Sequence, residues 1–510
     1  MMTITASAIT ARTVALCLNP DGKSRFFLPK ASAWTLYRNG EIVRSGETDR
    51  VITFLDCLDP STRYVFETDA GEQFAFTTAD CAGRIDISDF GARPDSTNNA
   101  LAIAAALAAV PVGGTLAIPS GCWHTGPLFL KSDMTLHLEP GATLKFITDR
   151  DQIPILPPHL SDGKMLGSWE GLPDASYASI ITAIGCVNLE ITGSGTLDGS
   201  GAEGDWWSWP KERRNGARRA RTLFLHLCEA VTVSGITVQN SPSWTIHPLY
   251  CRDIEFVGLA VKNPPNSPNT DGLDPECCDG VLLEGIHFTV GDDCIAIKAC
   301  KRADDGAAAH LKPCENITVR HCYMERGHGA VVIGSEMSGS VRHVTIEHCE
   351  FLGTDRGLRL KTRRGRGGEI AHVRCHNIVM RDVHSAIVAN CFYFCDHDGR
   401  SEWVQSRQPY PVDASTPSIH DIDISDLFIH DVRVAIGAFY GLPEMPIRAI
   451  SIKNVHASFD DSLEGDVPVM ALQVPVCHHV GFTTEFAELH FHDGHEFFPL
   501  SSEQEQAETC

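Results

Sequence analysis

No apolar run in this sequence approaches the ~18 residues that a membrane-spanning helix needs. A helical membrane anchor is therefore not expected. Positive charge is also short: 42 Lys and Arg stand against 65 Asp and Glu, a formal net charge of −23. That balance argues against nucleic acid or an anionic membrane surface as a partner. The N-terminus lacks the marks of a secretory signal. Thr and Ser interrupt its first residues, and Arg12 falls where an apolar core of roughly 7–15 residues should run. The stretch reads instead as a β-strand. Nor is there an even set of cysteines. The 19 present include several set mid-strand, as at Cys322 and Cys349, where a free thiol acts as a small buried hydrophobe. Cys277 and Cys278 lack metal-site spacing and read as structural. These features fit a reducing, cytoplasmic setting better than a disulfide framework.

What the sequence does have is turns and short strands. Glycine contributes 43 of the 510 residues, and the length exceeds that of one ordinary compact core. Residues 1–82 show period-two alternation at Thr13–Leu16, Trp34–Tyr37 and Val51–Phe54, with a hairpin signal at Asn39-Gly40 and a last strand at Gln73–Thr78. The stretch Leu58–Tyr64 resembles the tyrosine corner of fibronectin type III domains. A small β-sandwich of that kind is expected, acting as a packing or spacer module or, alternatively, binding carbohydrate. A second domain spans 83–500, with a capped Ala-rich helix at Asn98–Val110 closing its end. The polar stretch 501–510 reads as a disordered tail.

From about residue 116 the chain repeats. Short β runs such as Val187–Ile191, Val231–Val233, Ile254–Phe256, Val281–Leu283, Ile317–Val319 and Val344–Ile346 recur, most often about 23–29 residues apart. Helical periodicity is nearly absent, and the fixed leucine offsets of leucine-rich repeats are missing. An all-β, right-handed parallel β-helix is the expected fold, with coils about 4.8 Å apart. In such a solenoid, residues one repeat apart in sequence become neighbours in space.

Four segments then acquire meaning together: Asn269–Asp274, Gly291–Cys294, Gly327–Gly329 and Arg359–Lys361. Taken singly, an Asp-Asp is usually a solvated turn, a Gly-His-Gly a bend, and an Arg-x-Lys a charged outer strand face. Stacked one coil apart, they would place Asp271, Asp292, Asp293, His328, Arg359 and Lys361 on one surface. Crowded carboxylates cannot all ionise normally, so one should hold a proton beside an ionised neighbour. Glycoside hydrolysis requires that pairing of acid and base.

The four segments resemble the signature of glycoside hydrolase family 28, the polygalacturonases: Asn-Thr-Asp, Gly-Asp-Asp, Gly-His-Gly and Arg-Ile-Lys, with Leu360 replacing Ile. The likeness extends over roughly residues 85–460. It implies the parallel β-helix, no cofactor, and an inverting hydrolase of α-1,4-galacturonosidic bonds. It also implies roles. Asp292 would be the general acid, Asp271 and Asp293 would hold and activate water, and His328 would tune the acid. Arg359 and Lys361 would hold a substrate carboxylate, Tyr393 would contact substrate, and Asn269 would be structural or substrate-orienting. Asp274 would be a turn residue and no metal would be bound. Inversion would set the carboxyl groups about 6.5–9.5 Å apart.

The cations also argue for a uronate on physical grounds, since a neutral sugar needs no paired Arg and Lys. The run Lys211, Arg213, Arg214, Arg218, Arg219 and Arg221, with Trp206 and Trp207, reads either as a solvated loop or as a wall closing one end of the cleft. Arg363, Arg364 and Arg366 would add positive charge near Arg359. A closed end would make the enzyme exo-acting on oligogalacturonates, and the N-terminal module resembles the arrangement in bacterial exo-polygalacturonases. An endo-acting enzyme, a calcium-dependent pectate lyase and a non-catalytic carbohydrate-binding solenoid are the alternatives.

Overall fold

The computed structural model describes residues 2–460, 462 and 464–492. The stretch 501–510 lies outside the described residues.

Residues 3–77 form two antiparallel sheets. Thr3–Ile9, Val14–Asn19 and Ile52–Leu55 make one; Glu41–Arg50, Phe27–Arg38, Arg63–Thr68 and Gln73–Thr77 make the other. Their alternating apolar residues meet in a core around Val14, Leu16, Leu36, Tyr64 and Phe66. The hydroxyl of Tyr64 accepts a hydrogen bond from the Asp59 backbone N–H at 2.9 Å.

Beyond residue 83 the pairing becomes mostly parallel, and the chain winds as a parallel β-helix. One sheet runs the length of the solenoid, pairing Val231, Ile254, Val281, Ile317, Val344 and Val373 in register across successive coils. A second face carries Leu223–His226 and Ile246–Leu249, then Ile295–Ile297, Val331–Ile333, Arg356–Lys361 and Ser385–Asn390. Single bridges at Leu273 join these two groups of strands. Ile, Val, Leu and Phe fill the interior, because strand alternation turns every second side chain inward while its neighbours face outward. The helix Ala100–Ala109 buries Ile103 and Ala106 against the first coils; Asn99, at its N-cap, makes no side-chain cap bond, and Asn98 Oδ1 instead accepts from the Ala100 N–H at 3.0 Å. Every described cysteine is a free thiol, and most are buried.

The N-terminal sheets rest on the solenoid through bare backbone. Gly235 and Gly285 turn with φ of +76° and +65°, a conformation that costs other residues about 1–2 kcal/mol. Ile52 and Phe54 press onto them, so closely that a Cβ at Gly235 would lie 2.2 Å from the Phe54 ring. Only glycine meets both demands there.

Candidate active site

The second face brings three of the four sequence segments into line. Leu273 bridges Ile295, Ile295 pairs Val331, and Val331 pairs Leu358. The bend before each strand therefore stacks on the next: the Thr245 N–H donates to the Asp271 carbonyl, Gly272 to Asp293, and Cys294 to Gly329. The fourth segment differs from the expected offset, because Arg359 and Lys361 lie within the strand Arg356–Lys361 rather than in the bend before it. Alternation still puts both on one face, with Leu360 turned into the core.

The result is a compact charged cluster. Asp271, Asp292 and Asp293 each offer a carboxylate oxygen within 4.8 Å of the others. That is shorter than the separation expected from inversion: Asp292 and Asp293 are adjacent on one bend, and Asp271 stands on the neighbouring coil. Asp271 and Asp293 are buried, whereas Asp292 is partly open to solvent. Lys361 Nζ donates to Asp293 Oδ2 at 2.7 Å and Arg359 Nη1 to Asp293 Oδ1 at 3.3 Å. Tyr393 faces both cations, its ring centre 5.4 Å from Lys361 Nζ and 5.6 Å from the Arg359 guanidinium. His328 Nδ1 lies 3.1 Å from Asp292 Oδ1 and its backbone N–H donates to the Asp292 carbonyl.

These neighbours drive the carboxylates apart in acidity. Burial, then Asp274 and Asp292, raises Asp271 well above the ordinary carboxylate range. Burial works the same way on Asp293, but Lys361 and Arg359 outweigh it and hold that group well below the range. The hydrogen bond to Asp292 raises His328 to about 9, so the imidazole is protonated at neutral pH. The cluster thus sets a carboxyl of raised pKa, an anchored anion and an imidazolium within a few ångströms.

A second layer went unread in the sequence. Lys298 Nζ sits 3.2 Å from Glu336, 3.6 Å from Asp274 and 3.9 Å from Asp271, above the ring of Trp244. Burial opposes its charge, but Glu336, Asp274 and Asp271 prevail and raise its pKa well above normal. Asp274 is not a surface turn residue: it is fully buried with both carboxylate oxygens lacking a hydrogen bond, and burial pushes its pKa up to about 8. The sequence signal was the text Asp292–Lys298: Lys298 follows the strand Ile295–Ile297 and, by alternation, falls on the same face as Arg359 and Lys361, opposite the core-facing Ile295 and Ile297.

The basic run divides. Arg219 is buried and donates to Asn269 Oδ1 at 2.6 Å, to Pro210, Pro242 and Pro268 carbonyls, and stacks on Trp169. Arg221 is buried beside Trp169 and Trp244. Neither belongs to a solvated loop. Asn269, at φ 55°, is a bend residue tied to Arg219. Trp206 is buried in the core with Trp209 and Tyr177 and presents no ring to a sugar. Arg363, Arg364 and Arg366 do not extend the positive field at Arg359. All three are buried, held by Asp396 and Asp398, by Glu444, and by Asp396 respectively.

As a metal site the three aspartates are poorly suited. Calcium takes 6–8 oxygens, whereas two cations already hold Asp293 and Asp271 is inclined to keep a proton.

The profile of the Glycosyl hydrolases family 28 matches residues 127–403. A protein described as a probable polygalacturonase from Vitis vinifera is 31% identical over 349 residues, 67% of this chain and 66% of that protein. An endo-polygalacturonase from Pectobacterium parmentieri is 29% identical over 281 residues, 53% of this chain and 65% of its own length. The chain thus spans just under two thirds of the length of the curated relatives it matches. Among solved structures, an exopolygalacturonase from Thermotoga maritima superposes with a TM-score of 0.66 at 26% identity, covering 81% of this chain and 91% of that one. The Yersinia enterocolitica family 28 exopolygalacturonase gives the same TM-score at 20% identity over 97% and 98% of the two chains. This chain belongs to glycoside hydrolase family 28.

Proposed function

We propose that the chain hydrolyses α-1,4-galacturonosidic bonds with inversion, releasing units from one end of oligogalacturonates. The observation that carries the reading is the pair Arg359 and Lys361. Both are buried, both point at the aspartate trio, and Tyr393 lies over them. Two cations beside the scissile position suit a uronate carboxylate, and the Arg fork can meet such a group in two-point fashion. The relatives described as polygalacturonases support the same substrate class.

In this scheme Asp292, the most open of the three, gives its proton to the glycosidic oxygen. His328, protonated and bonded to it, refills it. A water held between Asp271 and Asp293 attacks the anomeric carbon from the opposite side, and the Asp293 carboxylate takes its proton. The short carboxylate separation favours a second reading, retention through a glycosyl–enzyme bond. Against it, Lys361 and Arg359 hold Asp293, and Asp271 is inclined to stay protonated, so neither is a ready nucleophile.

Release from chain ends is supported by two irregular stretches, around Gly171 and around Asp396, that meet at Lys301. The Lys301 N–H donates to the Gly171 carbonyl of the first, and Lys301 Nζ pairs with Asp396 of the second at 2.8 Å. The N-terminal sheets, three strands facing four with Tyr64 bonded back to Asp59, support a fibronectin type III-like module.

NMR of the first product from a defined galacturonate oligomer tests both points. The expected result is an inverted anomer and short products of one size. A retained anomer would overturn the water-attack mechanism, and a ladder of intermediate lengths would overturn release from the end.

A further inference from the structure

Away from the aspartates, a cavity of about 280 Å³ lies where the N-terminal strand Val14–Asn19 meets the solenoid. Three chemically different side chains converge in it. Cys17 comes from that strand, Glu284 ends the strand Asp279–Glu284, and His321 follows Cys314–Arg320 on the next coil. One ligand atom from each lies within 4.8 Å of the others.

The polar atoms here are short of partners. Glu284 is 1% exposed, and Arg320 takes its Oε1 at 2.8 Å, yet its Oε2 has no hydrogen bond at all. Asn19 lines the same cavity, and its Oδ1 is likewise buried without a partner. Leaving a buried acceptor unsatisfied costs about 1–3 kcal/mol, more for a charged one. His321 Nδ1 lies 2.9 Å from the Arg25 carbonyl. A carbonyl only accepts, so Nδ1 carries the proton and the lone pair stands on Nε2. Metal-bound histidines are oriented through their other nitrogen in the same manner.

We infer that Cys17, Glu284 and His321 form a zinc site that fastens the N-terminal sheets to the solenoid, with Asn19 Oδ1 or a water as fourth ligand. Sulfur, nitrogen and oxygen donors together suit zinc and its borderline neighbours, whereas calcium and magnesium take oxygen alone. Four ligands close the tetrahedron of a structural site. Binding releases the Cys17 thiol proton to solvent. Arg320 neutralises one carboxylate charge and leaves Oε2 to the metal.

The test uses the full chain, stripped with a chelator and dialysed, then titrated with Zn²⁺ against a competing dye. One tight zinc per chain is expected, and Cys17→Ser or Glu284→Gln should weaken it at least tenfold, in line with the loss of a ligand. With Co²⁺ in place of zinc, the wild type should show near-ultraviolet thiolate-to-metal absorption. That band should vanish in Cys17→Ser and persist in Asp292→Asn, which separates this site from the aspartate cluster. Added zinc should raise the melting temperature of the wild type and not of either variant. Glu284→Gln keeps the thiol and the shape, so it serves if Cys17→Ser does not fold. Zinc binding absent in the wild type, or unchanged in both variants, would overturn the assignment.

Discussion

Five cations lie within eight residues, from Arg359 to Arg366, and they meet two different fates. Arg359 and Lys361 share one carboxylate, Asp293, and stand beside the Tyr393 ring. Arg363, Arg364 and Arg366 are each closed off. Arg364 forms a forked pair with Glu444 and donates to the carbonyls of Trp403, Ser406 and Gln408. One pair of cations is left with charge to spare, and the other three spend theirs on the protein. Sequence proximity says nothing about which is which; the count of carboxylates within reach does.

The contrast can be broken experimentally. The largest effect should come from Asp292→Asn, which removes the proposed proton donor while leaving shape and the Arg–Lys pair intact. A fall in kcat of about 10²–10⁴-fold is expected for a lost general acid, with an unchanged melting temperature; full activity in that variant would end its assignment as the acid. Next comes the comparison itself. Arg364→Ala strands the buried Glu444 carboxylate and should cost about 3–5 kcal/mol of stability, read as a lower urea midpoint. Lys361→Ala should act mainly on catalysis, lowering kcat/KM by about 10–100-fold, in keeping with the ~1.5–3 kcal/mol of a charged hydrogen bond. If the two variants showed the same balance of stability and activity, the division between structural and working cations would fail.

The last effect concerns Asp274, read in the pH dependence of stability. Its carboxyl is raised to about 8 in the folded chain and sits near 3.8 when unfolded. The folded state therefore binds the extra proton, and stability should fall as pH climbs from about 4 to about 8. Asp274→Asn should flatten that decline in melting temperature. His328 has the opposite origin, a histidine raised to about 9 by its partner. Its favourable pairing is complete below about 6.5 and disappears as pH passes about 9, where activity should fall with it.

The parts legible in sequence were those with a period. Strand runs repeated, and the bends after them carried Asp271, Asp292, Asp293 and His328 at matching places, so stacking alone brought them together. The parts that stayed hidden depend on partners with no fixed spacing. Arg364 finds Glu444 80 positions later, and Arg363 finds Asp398 35 positions later. Lys298 gains its role from Glu336 on another coil, and Trp206 is lost to the core because Tyr177 and Trp209 pack around it. The expected carboxylate separation missed for a related reason: it came from a reaction class, whereas the observed value is set by the adjacency of Asp292 and Asp293 and by the distance from their coil to that of Asp271.

The glycines under the N-terminal sheets tie the fates of two stretches of genetic text. So long as Phe54 and Ile52 lie on Gly235 and Gly285, even alanine is barred from those turns. A lineage that discarded the first 80 or so codons would lift that bar, and asparagine, which accepts the same left-handed turn, could drift in. Glycine at these two turns should therefore be inherited together with the leading module and become dispensable where the module is gone.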